Sequence, residues 1–451
     1  MPHELESALR GRVLEPGSDG YDAARSMWNA RFDRRPDVVA CCADVEDVSA
    51  TLRWARRAGA PVSVKGAGHS YSGNTVADGG VLIDLSAMDG VEVDAVDRIA
   101  HVQGGATWAQ VDAETQRHGL ATPGVTVSSV GVAGSTLGAG TGWLSRCLGN
   151  AADNLLAVEL VTADGEILRS SADENPELFW GVRGAGANLG VVTSLDFELH
   201  DVGPEVLAGQ IIYRFDEAEK MLRAFGSFIA EAADELQCLP FTFRAPPVDP
   251  FPESVHGEPV LDFVVFHRDP GAIDAIAPLR DLGDPVVDAV GPMPYTLAQQ
   301  AFDVNMPSGQ RYYSRAHDLA ELTEAAIDDF AAHVRQMRGP LTASYLEPRG
   351  GAVAREASDA TAAGGRQAPY SFHIIAGWTD PAEDTPVMDW ARAFAGAMER
   401  HATGGVYVNL LAEDEAHRVP SVFSDYVRVQ DLKRRWDPDN VFAGNHNVSP
   451  S

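Results

Sequence analysis

Hydrophobic positions follow two rhythms along this chain. Between residues 44 and 59, apolar side chains recur at Val45, Val48, Leu52 and Ala55, which is the one-face spacing of an amphipathic helix. Asp44 stands where it can cap the first turn. Around this helix the rhythm shortens. Brief apolar runs predict strands over 36–43, 62–64, 81–85 and 99–102, and a helix over 108–118 ends at Gly119. Strands over 156–162 and 166–170 flank the turn Ala163-Asp164-Gly165. A short helix starts within 175–180, and a strand follows over 191–199.

Around 201–205 the pattern changes. Strands over 207–215, 261–267 and 370–378 mix with helices over 217–235, 319–338 and 386–401. Prolines crowd 246–259, which predicts a surface loop. The expected unit is an antiparallel sheet with helices on one face. The tail adds a helix over 424–436, closed by Asp437-Pro438-Asp439-Asn440. The fold class expected is α+β.

Composition narrows the function classes. With 45% hydrophobic and 22% charged residues, the chain has a globular balance. No run approaches the ~18 apolar residues of a membrane span. The first twenty residues are polar and acidic and lack a secretory pattern, so a cytoplasmic location is expected. A formal net charge of −30 argues against nucleic acid and anionic membranes as partners. Nearly all basic residues are arginine, with lysine only at Lys65, Lys220 and Lys433. A GC-rich genome and adaptation to salt both produce that balance. Cys41, Cys42, Cys147 and Cys238 show no metal spacing and read as buried thiols of a reducing compartment. No metal site is expected, and no oligomeric state follows.

The chemistry concentrates in glycine loops. Residues 61–73 read PVSVKGAGHSYSG. Gly66, Ala67 and Gly68 carry almost no side-chain bulk, so backbone N–H groups there can approach a phosphate. His69 follows at once. An imidazole beside a pyrophosphate cradle makes sense if it is bonded to the cofactor itself. Gly131, Gly134, Gly138, Gly140 and Gly142 form a second glycine segment, and 184–190 a third. Three such segments fit a large flat ligand better than three unrelated turns.

Four segments, VKGAGHSYSGN, VGVAGSTLGAGTGWLSRCLGNAADNLL, NPELFWGVRGAGANLGVVTSLDFELH and LKRRWDPDNVFAGNHNVSP, occur in order over nearly the whole chain. In these the chain resembles the berberine bridge enzyme-like flavoproteins of the vanillyl-alcohol oxidase group. The resemblance implies a PCMH-type FAD-binding domain of two α/β subdomains over 1–203. It also implies a substrate domain over 204–403, an antiparallel sheet covered by helices, and a segment 404–451 returning to the FAD domain. It implies FAD tethered through the ring of His69. Many relatives carry a second tether, a cysteine ahead of the glycine block. Here Thr126 or Val127 holds that place, and Cys147 falls about twenty residues too late, so a single bond is expected. By the same resemblance Gly66, Ala67, Gly68 and Ser70 hold the pyrophosphate. Thr126, Ser135, Gly140 and Gly142 line the ribityl chain and phosphates. Asn154, Gly190 and Val192 lie near the adenine, and Asn409, Asn445 and Asn447 reach the isoalloxazine ring.

Hydride transfer from a hydroxyl-bearing carbon needs a base. Alternation along 370–375 places Phe372 on one face and Ser371, His373 and Ile375 on the other. The resemblance aligns His373 with the catalytic position, and imidazole changes charge near neutral pH. The alternative is an ordinary histidine on a sheet face. Relatives have a tyrosine where this chain has Leu410, and Tyr407, expected on the opposite side of a strand from Leu410, borders the ring. The leading expectation is a flavin oxidase acting on an alcohol, sugar or amine and passing electrons to molecular oxygen. A dehydrogenase using another acceptor and a non-catalytic flavin-binding protein are the alternatives.

Overall fold

The computed structural model describes residues 2–451. Its architecture is α+β, built on three principal sheets. The first has strands Val38–Cys41 and Val62–Lys65 both parallel to Val81–Asp84, with Arg12–Leu14 at the edge. Helix Val45–Ala58 covers it. Asp44 accepts a hydrogen bond from the Asp47 N–H at one end, and Gly59 turns left-handed, φ 63°, at the other. Val48, Leu52 and Ala55 bury against Val38, Ala40 and Ile83 of this sheet.

The second sheet is antiparallel, in the order 91–94, 99–103, 191–198, 155–161 and 167–171. Val161 and Val191 join the core of the first sheet, so the two share one packed layer.

The third sheet is large and antiparallel, with its central strands in the order 205–214, 259–267, 236–244, 343–348, 370–378 and 311–319. Helices Ala218–Glu231, Glu324–Val334 and Asp384–Glu399 cover one face through Phe225, Phe330 and Phe394. The opposite face looks toward the first two sheets. Among the described residues no helix is long and apolar enough to cross a membrane.

Two predicted helices change. The one expected over 217–235 spans Ala218–Glu231, and the one expected over 319–338 spans Glu324–Val334. Leu319 instead ends strand Arg311–Leu319, which the pattern did not predict. That strand buries Arg315, His317 and Asp318. Arg315 pairs with Asp414 and Glu415, and Asp318 with Arg349, so distant partners neutralise charges that read as solvent-facing.

The tail packs into the core of the second sheet through Leu410, Leu411, Val429, Leu432 and Val448. Lys433 fastens it. Its ammonium is fully buried and donates to Asp437 Oδ2 at 2.6 Å, Phe442 O at 3.0 Å and Asn188 O at 3.1 Å. All three donors are thereby satisfied.

Candidate active site

A cavity of about 640 Å³ lies where the first two sheets, the open face of the large sheet and the tail meet. Gly66, Ala67, Gly68, His69, Ser70, Thr126, Ser135, Gly190, Val192, Asn409, Asn445, His373 and Tyr407 all stand on its wall. Gly140, Gly142, Asn154 and Asn447 do not. Gly140 is left-handed at φ 70° and tight against Ala151, and Gly142 makes room for the Gly124 carbonyl. At both positions the room a side chain would fill is taken by protein. The Asn154 amide donates to the Leu148 and Asn150 carbonyls, and its oxygen meets His200, so it caps a loop away from the cavity. Asn445 and Asn447 are exposed rather than buried, and only Asn445 borders the cavity. His446 between them also lines it, with φ 44°.

The loop after strand Val62–Lys65 presents His69. Gly68 is left-handed there, φ 76°, and its carbonyl accepts from the Trp28 N–H at 3.2 Å. The Trp28 indole stacks on the His69 ring at 4.8 Å and lies flat on Tyr312 at 3.9 Å. His69 Nε2 is 3.0 Å from Ser129 Oγ. Burial pushes the imidazole down to about 4, so it is uncharged near neutral pH. No cysteine stands on the cavity wall among the described residues; Thr126 and Val127 face it instead. The Cys147 thiol donates to the Leu144 carbonyl and packs under Trp143, and burial pushes it up to about 11. It is a packing residue.

The second group comes from the large sheet. Along Tyr370–Trp378, Phe372 and Ile374 enter the helix-side core while His373 and Ile375 face the cavity. His373 is opposite Tyr345 in register, and Tyr345 is opposite Phe241 on the next strand. The Tyr345 ring stacks on His373 at 4.4 Å. Two residues further on, Glu347 brings Oε2 to 3.3 Å from His373 Nε2. The approach is close but not aligned as a hydrogen bond, and both His373 nitrogens and Glu347 Oε2 are buried without partners. Glu347 Oε1 accepts from Thr141 Oγ1 at 2.5 Å. Burial raises the Glu347 carboxyl, but His373, Arg349 and Thr141 together outweigh it and hold the group below its ordinary range.

Tyr407 departs from the expected strand geometry. Val408–Leu410 is a 3₁₀ turn, so strand alternation does not apply and Tyr407 and Leu410 both border the cavity. Tyr407 Oη accepts from Asn409 Nδ2 at 2.8 Å, and the same amide donates to Ser135 O at 3.0 Å. Burial pushes the Tyr407 phenol up to about 12. Tyr71, Tyr345 and Glu347 also belong to this wall, and the sequence patterns did not single them out. Alternation of Ala343, Tyr345 and Glu347 within 343–348 was the available signal. Tyr71 lay two residues beyond His69, inside the loop already singled out.

The similarities to known proteins agree with this geometry. Residues 36–171 match the model of an FAD binding domain, and residues 406–449 match the berberine and berberine-like model. (R)-6-hydroxynicotine oxidase of Paenarthrobacter nicotinovorans is 30% identical over 98% of this chain and 97% of that protein. The crystal structure of 6-hydroxy-D-nicotine oxidase from Arthrobacter nicotinovorans superposes with a TM-score of 0.87 at 28% identity, covering 98% of both chains. A berberine bridge enzyme-like protein of Physcomitrella patens shares the fold, with a TM-score of 0.87 at 21% identity over 100% of this chain and 98% of that one. With near-complete coverage and the two matched segments meeting at one cavity, the chain belongs to the berberine bridge enzyme-like family of FAD-linked oxidases.

Proposed function

We propose that this protein oxidises a C–H bond of an alcohol, sugar or amine with FAD held by one covalent bond, at His69, and that molecular oxygen takes the electrons. The observation that carries the reading is the uncharged His69 imidazole on the wall of the same cavity as the His373–Glu347 pair. The wall fits the dinucleotide. Gly66, Ala67 and Gly68 expose backbone to the cavity, and a side chain on Gly134 would meet nothing within 4 Å. Glu347 is the single carboxylate on the wall among the described residues, so little there opposes a pyrophosphate. A single tether is supported by the cysteine-free wall at Thr126 and Val127.

Bound FAD supplies a two-electron acceptor for hydride and a route to oxygen. The residues do the rest. An uncharged His69 has a lone pair free to bond carbon, and the Trp28 stack fixes its plane. Gly66, Ala67, Gly68 and Ser70 would hold the pyrophosphate, Thr126 and Ser135 the ribityl chain, and Gly190 and Val192 the adenine. Asn409 fixes the Tyr407 phenol, which would border the flavin ring. His373 takes the hydroxyl proton of an alcohol or sugar, and Glu347 stabilises the imidazolium so formed; a neutral amine gives hydride without that step. A reducing, cytoplasmic setting is part of the reading, supported by four unpaired thiols.

The test is acid precipitation of the purified protein and of His69→Ala. Yellow colour stays with the wild-type pellet and leaves with the supernatant of the variant. Colour retained in the variant pellet defeats the tether. Under air, turnover forms hydrogen peroxide; dye reduction without peroxide points to a dehydrogenase.

A further inference from the structure

We infer that the substrate of this site is a flat aryl compound without negative charge, its ring laid against Phe302, Phe241 and Tyr345 and its donor carbon turned to His373 and Glu347. The clause about the donor carbon rests on the oxidase reading; the ring preference does not.

The register of the large sheet builds a ladder of rings. Phe241, Tyr345 and His373 are cross-strand partners on three adjacent strands, so strand spacing brings their rings face to face. Phe241 stacks on Tyr345 at 5.4 Å and 21°, and Phe302 continues the stack onto Phe241 at 4.9 Å and 22°. Trp143 closes it from behind at 5.5 Å from Phe302. The faces of these rings are occupied by one another. What they leave to a ligand is their edges, where the positive rim favours the π face of an aromatic guest.

On the large-sheet side of this wall, polar groups that could serve a hydroxyl-rich guest are already engaged. The Gln210 amide donates to the buried Asp262 at 2.6 Å. The Thr342 hydroxyl donates to Arg338 O and accepts from the Gly377 N–H. The Arg244 guanidinium donates to the Gly257, Arg335 and Met337 carbonyls. Beside the His373–Glu347 pair, the Tyr71 and Tyr345 phenols make no hydrogen bond within the protein and suit one or two polar groups on a ring; Asn305, Thr126, Asn74, Thr75 and Asn445 are further polar side chains of the wall. Anions meet Glu347 and find no free guanidinium. At the rim, Val248 is 57% exposed and Val304 82% exposed although both line the cavity, an apolar mouth that suits a ring leaving water.

The test uses three probes that cannot donate hydride: acetophenone, its saturated match cyclohexyl methyl ketone, and benzoate. A sugar, maltose, is added; its binding is read anaerobically on protein with its flavin already reduced by dithionite, so that no turnover occurs. Binding to the purified holoprotein is read by tryptophan fluorescence, since Trp143 stacks behind Phe302. Acetophenone binds roughly three- to tenfold more tightly than the cyclohexyl ketone, and benzoate and maltose bind more weakly than either. Phe241→Leu erases the aryl preference. If that variant melts early, Tyr345→Leu carries the same comparison. Equal binding of the two ketones, or maltose binding more tightly than acetophenone, overturns the inference. The two readings fail separately. An aryl preference with no flavin bleaching by any benzylic alcohol or amine removes the oxidase reading alone. Bleaching by sugars without an aryl preference removes this inference alone.

Discussion

The two walls of the cavity are built by different means. The wall carrying His69 comes from contiguous segments, 66–70, 125–135 and 190–192, and much of it is backbone. The wall carrying His373 comes from side chains on separate strands, with Phe241, Tyr345 and His373 brought level only by sheet register. A long cofactor can be gripped by main chain wherever a loop lacks side chains. A variable substrate needs chosen side chains, and a sheet face supplies one at every second position of every strand.

Breaking either wall alone sharpens the contrast. The largest effect is expected at the substrate wall. His373→Ala lowers the rate of flavin reduction in stopped flow by about 10²- to 10⁴-fold, while the flavin content of the pellet is unchanged. Glu347→Gln keeps the fold and content and shifts the pH at which that rate rises. A loss of colour in either variant would show that the walls are not separable.

The tail should couple the walls, since Asn409 ties the Tyr407 phenol to Ser135 O of the His69 wall and Asn445 lines the same cavity. Lys433→Met leaves Asp437 buried without its cation and costs about 3–5 kcal/mol of stability, measured by urea unfolding. A cost below about 1 kcal/mol would remove the clamp from the account.

A smaller effect appears with pH. His317, buried in the large sheet, is pushed down to about 4 by burial, with Arg418 and Arg315 adding to the shift and its bond to the Ala395 carbonyl opposing it. The unfolded chain therefore binds that proton first as pH falls. Stability from His317 is complete above its unfolded pKa near 6.5 and is lost as pH falls toward 4, by roughly 2 kcal/mol at pH 5. The melting temperature should fall between pH 7 and 5, and less steeply in His317→Gln. At the flavin wall, Gly68→Ala forces a side chain into a left-handed position at a cost of about 1–2 kcal/mol. It should lower flavin content and leave the rate per bound flavin unchanged.

The same contrast explains what could be read from the chain. Gly66 to Ser70 announced a loop of the cavity wall because its signal is local, and helix 45–58 carried its own cap, face and stop. Strand 236–244 was hidden by Pro240 and a run without alternation, strand 311–319 by the paired charges of Arg315 and Asp318, and strand 343–348 by its shortness. With those strands unrecognised, Tyr345 and Glu347 had no place. Counting glycines reads less surely. Gly140 and Gly142 fit a ligand cradle in sequence but make room for Ala151 and the Gly124 carbonyl. A glycine shows that something comes close and does not say what.

The proposed single covalent bond at His69 is tested most directly by proteolysis of the purified protein under denaturing conditions, followed by mass analysis of the yellow peptides. A single flavin-bearing peptide that contains His69 is expected, with unmodified peptides for Cys41, Cys42, Cys147 and Cys238. Flavin released free into solution, or found on a cysteine-containing peptide, would contradict it.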